Sequence, residues 1–225
     1  MTQTTPEPVA DTDLSLSARL RDETAEVHEA AERSAFVEAL LGGALDVREY
    51  ARFVVQLRAV YEALEDEVAA STDATLAPLL APELVRLPAL TRDLEHLVGP
   101  GWAAELAVLP AATAYADRIR LVARTEHEML LAHHYVRYLG DLSGGQLIGR
   151  VLRRVYGLPD TRGTEVYEFD AIPSAKAFKD RYRVLLDALP WDSVVRTRLV
   201  DEARVAYRLN TDLFTELMAT LPRQP

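Results

Sequence analysis

Histidine is the side chain in this sequence best suited to bind a metal or move a proton, and there are only five. His28 has the most informative neighbours: in a helix, Arg21 and Glu32 would lie on the same face as its ring. A carboxylate four residues on can accept one imidazole N–H, fix the tautomer and leave the other nitrogen free for a metal. An ordinary surface histidine in an Arg- and Glu-rich helix fits the same spacing, so the spacing leaves both interpretations open.

The other four histidines form no metal site by their spacing. His96 lies in a proline-marked region, whereas His127, His133 and His134 shortly precede a glycine-rich stretch. A ferritin-like di-iron bundle needs paired Glu-x-x-His motifs, and no histidine here has a glutamate three residues before it. The sequence has no cysteine, which excludes disulfides, thiolate-bound metals and a cysteine nucleophile. We interpret these four histidines as surface residues or hydrogen-bonded core residues.

A second candidate site is Tyr135–Arg150, here called the glycine segment, which reads YVRYLGDLSGGQLIGR. It contains four of the chain's ten glycines: Gly140, Gly144, Gly145 and Gly149. The surrounding chain between Pro110 and Pro159 has no proline and otherwise resembles a helix. Each glycine in a helix interior costs about 1 kcal/mol relative to alanine. The cluster therefore predicts a place where a flat ligand closely approaches the helix backbone.

Asp141 is the carboxylate inside the glycine segment. Aspartate suits a helix interior poorly unless it has partners, and Arg137 four residues earlier could form a simple intrahelical salt bridge with it. The functional alternative is a carboxylate that holds ordered water over a ligand. Gly140 and Gly144 share one helix face and would expose that ligand.

A basic run lies on a helix near the C-terminus and consists of Lys176, Lys179, Arg181 and Arg183. Lys179 and Arg183 are four residues apart and face the same way. A guanidinium suits bidentate binding of a carboxylate, although a solvated charged face is the usual explanation of such a run.

The elements that must position these residues are helices. Alanine, leucine, arginine and glutamate dominate, strand-like alternation is missing, and the pattern predicts an all-α protein of seven or eight helices. The first helix is predicted from Asp13 or Ser15 to about Arg33. Another helix is predicted to begin after Pro110 and to continue through the glycine segment to Tyr156. The remaining long helices are predicted to begin at the capping residues Asp46, Ser174 and Asp192.

Length and charge restrict the classes of function. The 225 residues fit one domain, predicted at 14–221, after a disordered arm at Met1–Asp13 that contains two prolines. A net charge of −10 argues against general nucleic-acid binding. Residues 1–117 carry 8 basic against 21 acidic side chains, and residues 118–225 carry 17 against 14, so the C-terminal half could present a basic face. Because no signal peptide or membrane span is recognisable, we expect a soluble cytoplasmic monomer.

Several segments of the sequence resemble one protein family. GDLSGGQ at Gly140–Gln146, with Tyr135, Arg137, Tyr138 and Leu139 before it, resembles the distal-helix signature of the haem oxygenases. Four more segments resemble that family in the same order: Leu20–Glu32 (LRDETAEVHEAAE), Tyr61–Glu65 (YEALE), Phe178–Arg183 (FKDRYR) and Leu209–Phe214 (LNTDLF). The resemblance covers about residues 14–220 and implies a multi-helix bundle that holds haem between a proximal helix and a kinked, glycine-rich distal helix.

The resemblance implies a role for each matched residue. His28 would be the proximal ligand of the haem iron and Glu32 its hydrogen-bonding partner. On the distal side Gly140 and Gly144 would approach the haem, and Asp141 would deliver protons through water. A distal polar network would include Tyr61, Arg137 and Asn210. Further haem contacts are implied for Arg21, Tyr135, Ser143, Gly145, Lys179, Tyr182 and Arg183; many family members have lysine where Arg21 stands.

The implied activity is the cleavage of haem b, at once substrate and cofactor, by O2 and external electrons to biliverdin, CO and ferrous iron. The electrons would come from ferredoxin or from an NAD(P)H reductase system, and the α-isomer of biliverdin is expected. One alternative is a haem carrier on the same fold, which would have no need of Asp141 and the glycines around it. Another is a thiaminase-like or cofactor-synthesis enzyme of the wider helical superfamily, which His28 together with GDLSGGQ disfavours.

Overall fold

Helices account for the regular secondary structure of the computed structural model, which describes residues 14–221. The all-α prediction is therefore confirmed. The predicted disordered arm at Met1–Asp13 lies outside the described residues.

The described residues form more helices than the seven or eight predicted. The α-helices are α1 (Leu16–Glu23), α2 (Ala25–Glu32), α3 (Ala35–Gly42), α4 (Val47–Ala70), α5 (Leu87–Leu97), α6 (Trp102–Glu105), α7 (Pro110–Thr125), α8 (Leu130–His134), α9 (Gln146–Tyr156), α10 (Ala175–Asp187) and α11 (Ser193–Ala219). Short 3-10 turns occur at Pro82–Leu84, His127–Met129 and Glu165–Tyr167. Two π-helical turns, Tyr135–Leu139 and Asp141–Gly145, join α8 to α9.

The first predicted helix is in fact two helices. Ser15 caps α1, as one of the two predicted capping residues, by accepting a hydrogen bond from the backbone N–H of Ala18. At Thr24 the backbone leaves helical geometry (φ −107°, ψ 2°), and the buried hydroxyl donates to the carbonyl of Leu20 at 2.5 Å. The prediction of one continuous helix to Arg33 was therefore wrong, because this local side-chain bond interrupts the backbone ladder.

The predicted helix from Pro110 to Tyr156 is also interrupted. Regular helix ends at Thr125, Glu126 has φ −151° and ψ 59°, and the chain re-enters helix at Leu130. The glycine segment then continues in right-handed geometry, with Gly140 at φ −60° and ψ −53°, and its π-helical turns widen the helix. Since none of its glycines has a positive φ, backbone conformation does not explain why glycine stands there.

Two long helices organise the core. α4 packs on α5 and α7, and α11 packs on α2, α3, α7 and α8. Three predicted caps are confirmed, since the side chains of Asp46, Ser174 and Asp192 each accept a backbone N–H at the start of α4, α10 and α11. Among residues 14–221, no helix combines the length and the apolar character that crossing a membrane requires.

Candidate functional site

A cavity of about 470 Å³ is lined by α2 on one side and by the glycine segment on another, with α3, α4 and α11 contributing further wall. Ligand sites in proteins commonly fall in this range of volume. Eleven of the predicted site residues line it: Arg21, His28, Glu32, Tyr135, Arg137, Gly140, Asp141, Ser143, Gly144, Arg183 and Asn210. The tertiary structure thus brings together residues that are as much as 189 positions apart in the chain.

Sequence reasoning missed the apolar part of the wall. It is formed by aliphatic and aromatic side chains that include Val37, Leu40, Phe53, Leu57, Ile148 and Phe214. In the sequence these residues belong to ordinary helical stripes, which look the same whether they face the core or a cavity. Tyr167 and Tyr207 also line the cavity and were not predicted.

His28 and Glu32 form the predicted pair on α2. The His28 Nε2 atom lies 3.2 Å from Glu32 Oε1, which leaves Nδ1 as the ring nitrogen not engaged by the carboxylate. The His28 side chain is 46% exposed, and its ring lies 5.3 Å from that of Tyr207. A carboxylate that holds one imidazole nitrogen makes the other available as a metal ligand.

Open space lies in front of two glycines of the glycine segment. A Cβ atom added at Gly140 would meet nothing within 4 Å, and one at Gly144 would meet only Ile148, at 3.9 Å. Both glycines line the cavity. Side chains at these two positions would project into unfilled volume, so their absence creates a smooth backbone surface for a ligand.

The other two glycines serve a different purpose, and one prediction needs correction. A Cβ atom at Gly145 would lie 3.1 Å from Tyr167 Cδ1, and one at Gly149 would lie 3.2 Å from Tyr167 Cβ. Gly145 is not among the residues that line the cavity. The predicted haem contact of Gly145 is therefore replaced by packing against a tyrosine ring.

The polar residues around Asp141 form one connected group. The Tyr61 hydroxyl donates a short hydrogen bond to Asp141 Oδ2, although Tyr61 itself does not line the cavity. Arg137 Nη1 donates to Asn210 Oδ1 at 2.9 Å, and Arg137 Nη2 lies 3.9 Å from Asp141 Oδ1. Arg137 is thus bonded mainly to Asn210 and only distantly to Asp141. Its buried Nε atom has no hydrogen-bond partner among the described residues, so a donor remains available there.

The environment of Asp141 favours the protonated carboxyl. Burial raises its pKa, and this effect outweighs the positive charge of Arg137 and the hydrogen bond from Tyr61, which both lower it. Burial, and then the nearby Asp141, also raise the pKa of Tyr61 well above 10. Tyr61 therefore keeps its proton and acts as the donor, whereas the Asp141 carboxylate takes up a proton more readily than an exposed aspartate does.

Cationic side chains surround one edge of the cavity. Arg21 Nε lies 2.7 Å from Asp22 Oδ1, and Arg183 Nη1 lies 2.9 Å from Asp180 Oδ1. The Lys179 ammonium does not line the cavity but donates at 3.0 Å to Ser143 Oγ, which does. Burial, and then the charge of Arg183, lower the pKa of Lys179. The edge can therefore bind anionic groups that reach out of the cavity.

Tyr182 is the second prediction that needs correction. Its side chain is 2% exposed, does not line the cavity, and forms a hydrogen bond at 3.0 Å between its hydroxyl and His134 Nδ1. His133 is likewise buried, with Nε2 2.9 Å from Glu202 Oε1. Although Tyr182 is close to Lys179 and Arg183 around α10, its side chain points into the core towards His134, and both histidines are core residues.

Comparison with known proteins identifies the family. The family model described as "Heme oxygenase" matches residues 14–216. Heme oxygenase 1 of Synechocystis sp. is 40% identical over 209 residues, which cover 92% of this chain and 87% of that protein. The heme oxygenase of the alga Pyropia yezoensis is 38% identical over 203 residues, covering 90% and 85% respectively.

Solved structures agree with the sequence comparison. The crystal structure of heme oxygenase-1 from Synechocystis sp., in complex with heme, superimposes with a TM-score of 0.87 at 40% identity, covering 92% of this chain and 93% of that one. The heme oxygenase of Leptospira interrogans gives a TM-score of 0.86 at 37% identity, covering 90% and 100%. The resemblance of the glycine segment and of the four other motifs is confirmed over nearly the whole chain. The chain therefore belongs to the haem oxygenase family of haem-degrading enzymes.

Proposed function

We propose that this enzyme binds haem b in the cavity and cleaves it with O2 and electrons to biliverdin, CO and ferrous iron. The proposal rests on one observation: a histidine suited to bind iron and a backbone surface without side chains line the same cavity. His28, braced by Glu32, lines the cavity together with the side-chain-free backbone of Gly140 and Gly144.

The residues present suit haem. The cavity wall is largely apolar, as a macrocycle requires, and the missing Cβ atoms at Gly140 and Gly144 leave room for a flat face. Cations stand at one edge, where carboxylates of the ligand could emerge into solvent. When bound, haem would supply an iron that can activate O2, and His28 is the residue placed to hold that iron.

His28 would hold the iron through the ring nitrogen that Glu32 leaves free. The carboxylate of Glu32 accepts the N–H of the other nitrogen, which fixes the tautomer and the orientation of the ring. A ring held in one tautomer and one orientation is already arranged to bind the iron.

Asp141 would hold and release protons on the distal side through ordered water. Burial raises the pKa of the Asp141 carboxyl and so favours proton uptake there, and the Tyr61 hydrogen bond keeps Oδ2 in one place. Arg137 and Asn210 extend the polar surface that would order this water. A haem carrier would have no use for a proton donor there, which is why the carrier alternative is disfavoured.

Arg21, Lys179 and Arg183 would bind the two haem propionates. The present partners of Arg21 and Arg183 are neighbouring exposed carboxylates, and exposed ion pairs of this kind contribute little to stability. A propionate can therefore replace these carboxylates at little cost.

Electrons would come from an external donor in the cytoplasm, either ferredoxin or an NAD(P)H reductase system. The basic C-terminal half of the chain suits an acidic donor.

The test adds hemin to the purified protein and then supplies ascorbate or a ferredoxin system. We expect a Soret band that decays as the absorption of biliverdin grows and CO is released. Binding without decay would support the carrier instead, and absence of binding would refute both haem hypotheses.

Two variants test the assigned roles. His28→Ala should change the ferrous–CO spectrum, and added imidazole should restore it, whereas His96→Ala, at an exposed histidine of α5, should match the wild type. Asp141→Ala should still bind haem but should lose most of the biliverdin yield. An unchanged spectrum in the first variant, or a normal yield in the second, would contradict the assigned role.

A further inference from the structure

Tyr167 occupies a position that the proposed mechanism does not use. Its side chain is 4% exposed, lines the cavity and belongs to the short 3-10 turn Glu165–Tyr167. The ring fills the space that side chains at Gly145 and Gly149 would need, since their Cβ atoms would come within 3.1 and 3.2 Å of Tyr167. Two of the four glycines of the glycine segment, Gly145 and Gly149, therefore pack against a protein side chain and not against a ligand.

A buried carboxylate holds the turn that carries this ring. Asp93 on α5 is fully buried, and its Oδ1 and Oδ2 atoms accept the backbone N–H groups of Glu165 at 2.8 Å and of Val166 at 2.9 Å. Burial raises the pKa of Asp93 to about 6, against the lowering effect of these backbone bonds. Burying a carboxylate in this way is costly, and what it secures is one position of the turn.

A second set of hydrogen bonds connects the same turn to α9, the helix in which the glycine segment ends, and to α4. Arg153 on α9 donates from Nη1 to Thr164 Oγ1 at 3.1 Å and to Glu168 Oε1 at 2.8 Å. The buried hydroxyl of Tyr50 on α4 donates to the carbonyl of Gly163 at 2.8 Å. The turn is thus held from α4, α5 and α9, and its ring cannot withdraw without breaking several buried hydrogen bonds.

The contact continues to Asp141. A Cβ atom at Gly145 would lie 3.7 Å from Asp141 Cβ as well as 3.1 Å from the Tyr167 ring, so the ring is one packing layer from the proton-carrying residue. Because packed interiors transmit displacement, a shift of the ring would move this part of the glycine segment.

We propose that Tyr167, held in place by Asp93, is a positioning residue for haem cleavage: its ring supports the glycine segment and thereby sets the place of Asp141. The inference rests on the proposed function, since it concerns the residue that would carry the proton. It adds a specific support, 26 residues farther along the chain, that none of the family-like motifs contains.

The first experiment needs no haem. Gly145→Ala should lower the Tm of the wild type, because the new methyl group meets the ring, but should leave Tm unchanged or raise it in a Tyr167→Ala background. Gly140→Ala is the matched control and should have the same effect in both backgrounds, since its Cβ meets nothing within 4 Å. If Tyr167→Ala does not fold, Tyr167→Val also lacks the ring and gives the same comparison. Equal effects of Gly145→Ala in both backgrounds would overturn the inference.

The second experiment uses the haem complex and measures the pH midpoint of its visible spectral change, which reports the distal polar environment. Tyr167→Ala and Asp93→Asn should shift the midpoint in the same direction, and Tyr167→Phe, which keeps the ring, should not. A shift in Tyr167→Phe as large as in Tyr167→Ala, or no shift in either Tyr167→Ala or Asp93→Asn, would overturn the positioning role. Failure of the proposed function would show separately, as a wild type that does not bind or degrade haem.

Discussion

The buried pair of His134 and Tyr182, which lies in the core beside the cavity, can be tested through the pH dependence of stability. Its side chain is 1% exposed, and its Nδ1 atom is hydrogen-bonded to the Tyr182 hydroxyl at 3.0 Å. Burial lowers the pKa of His134 from 6.5 to about 3. We consider the substitution His134→Gln, which removes the titrating ring but keeps an oxygen able to accept from Tyr182.

The direction of the pH effect on stability follows from the difference in the pKa of His134 between the folded and the unfolded state. In the unfolded chain the imidazole gains a proton as pH falls below 6.5, whereas in the folded protein it stays neutral until about pH 3. The unfolded state therefore binds more protons between these values, so stability is fully present above pH 6.5 and is lost as pH falls through this window. From these two values, the loss contributed by His134 between pH 7 and pH 5 is about 2 kcal/mol.

Asp93 acts in the opposite direction over the same range. Its pKa is raised from 3.8 to about 6, so the folded protein binds the proton first and gains stability as pH falls from 7 to 5. This gain is about 1 kcal/mol and partly cancels the effect of His134 in the wild type. The difference between variant and wild type is therefore the informative quantity.

Urea denaturation of the substrate-free protein at pH 7 and pH 5 measures this difference in unfolding free energy between His134→Gln and the wild type. Between these pH values the wild type should lose about 2 kcal/mol more unfolding free energy than His134→Gln does. His96→Gln, at an exposed position of α5, is the matched control and should follow the wild type. If His134→Gln and the wild type show the same pH dependence, the buried, neutral imidazole does not exist as described.

Three further predictions concern single positions. Tyr182→Phe should leave haem affinity nearly unchanged, because its hydroxyl bonds in the core, whereas Arg183→Ala should weaken binding; equal losses in a spectrophotometric titration would contradict this assignment. Gly140→Ala should stabilise the substrate-free protein by up to about 1 kcal/mol in thermal unfolding and weaken haem binding, because its methyl group fills ligand space; tighter binding would count against the cavity described. Glu202→Gln should cost about 3 kcal/mol in urea denaturation by leaving Arg118 without its buried carboxylate, and a negligible cost would show that this ion pair matters little.

Local chemistry explains what sequence reasoning predicted well. The capping residues Asp46, Ser174 and Asp192 act within one helical turn, and the structure confirms all three. The pairing of His28 with Glu32 follows from a four-residue spacing on one helix. The glycines around Asp141 are costly in a helix and therefore marked a specific requirement. The family itself was indicated by the resemblance of GDLSGGQ to the haem oxygenase signature.

Other features depended on segments that are distant in the chain. Thr24 interrupts the first helix through a local bond, but α11 also packs on α2 there, and only the folded protein shows where the interruption falls. Tyr182 lies within the basic run of α10, yet its side chain points into the core and forms a hydrogen bond with His134. Neither its burial nor its partner can be read from the spacing of residues on α10.

The glycine segment shows most clearly what the sequence determines by itself and what the tertiary structure decides. By itself, the sequence determined that this helix needs glycine, because the energetic cost of glycine is a local property. Only the tertiary structure decided which glycines face a ligand and which pack against Tyr167. That depends on a turn held by Asp93, which lies more than 40 residues before the segment and more than 70 before the ring. Spacing along one helix reports what a residue can do with its near neighbours, whereas the occupant of a given space is decided by packing among elements that the chain brings together only on folding.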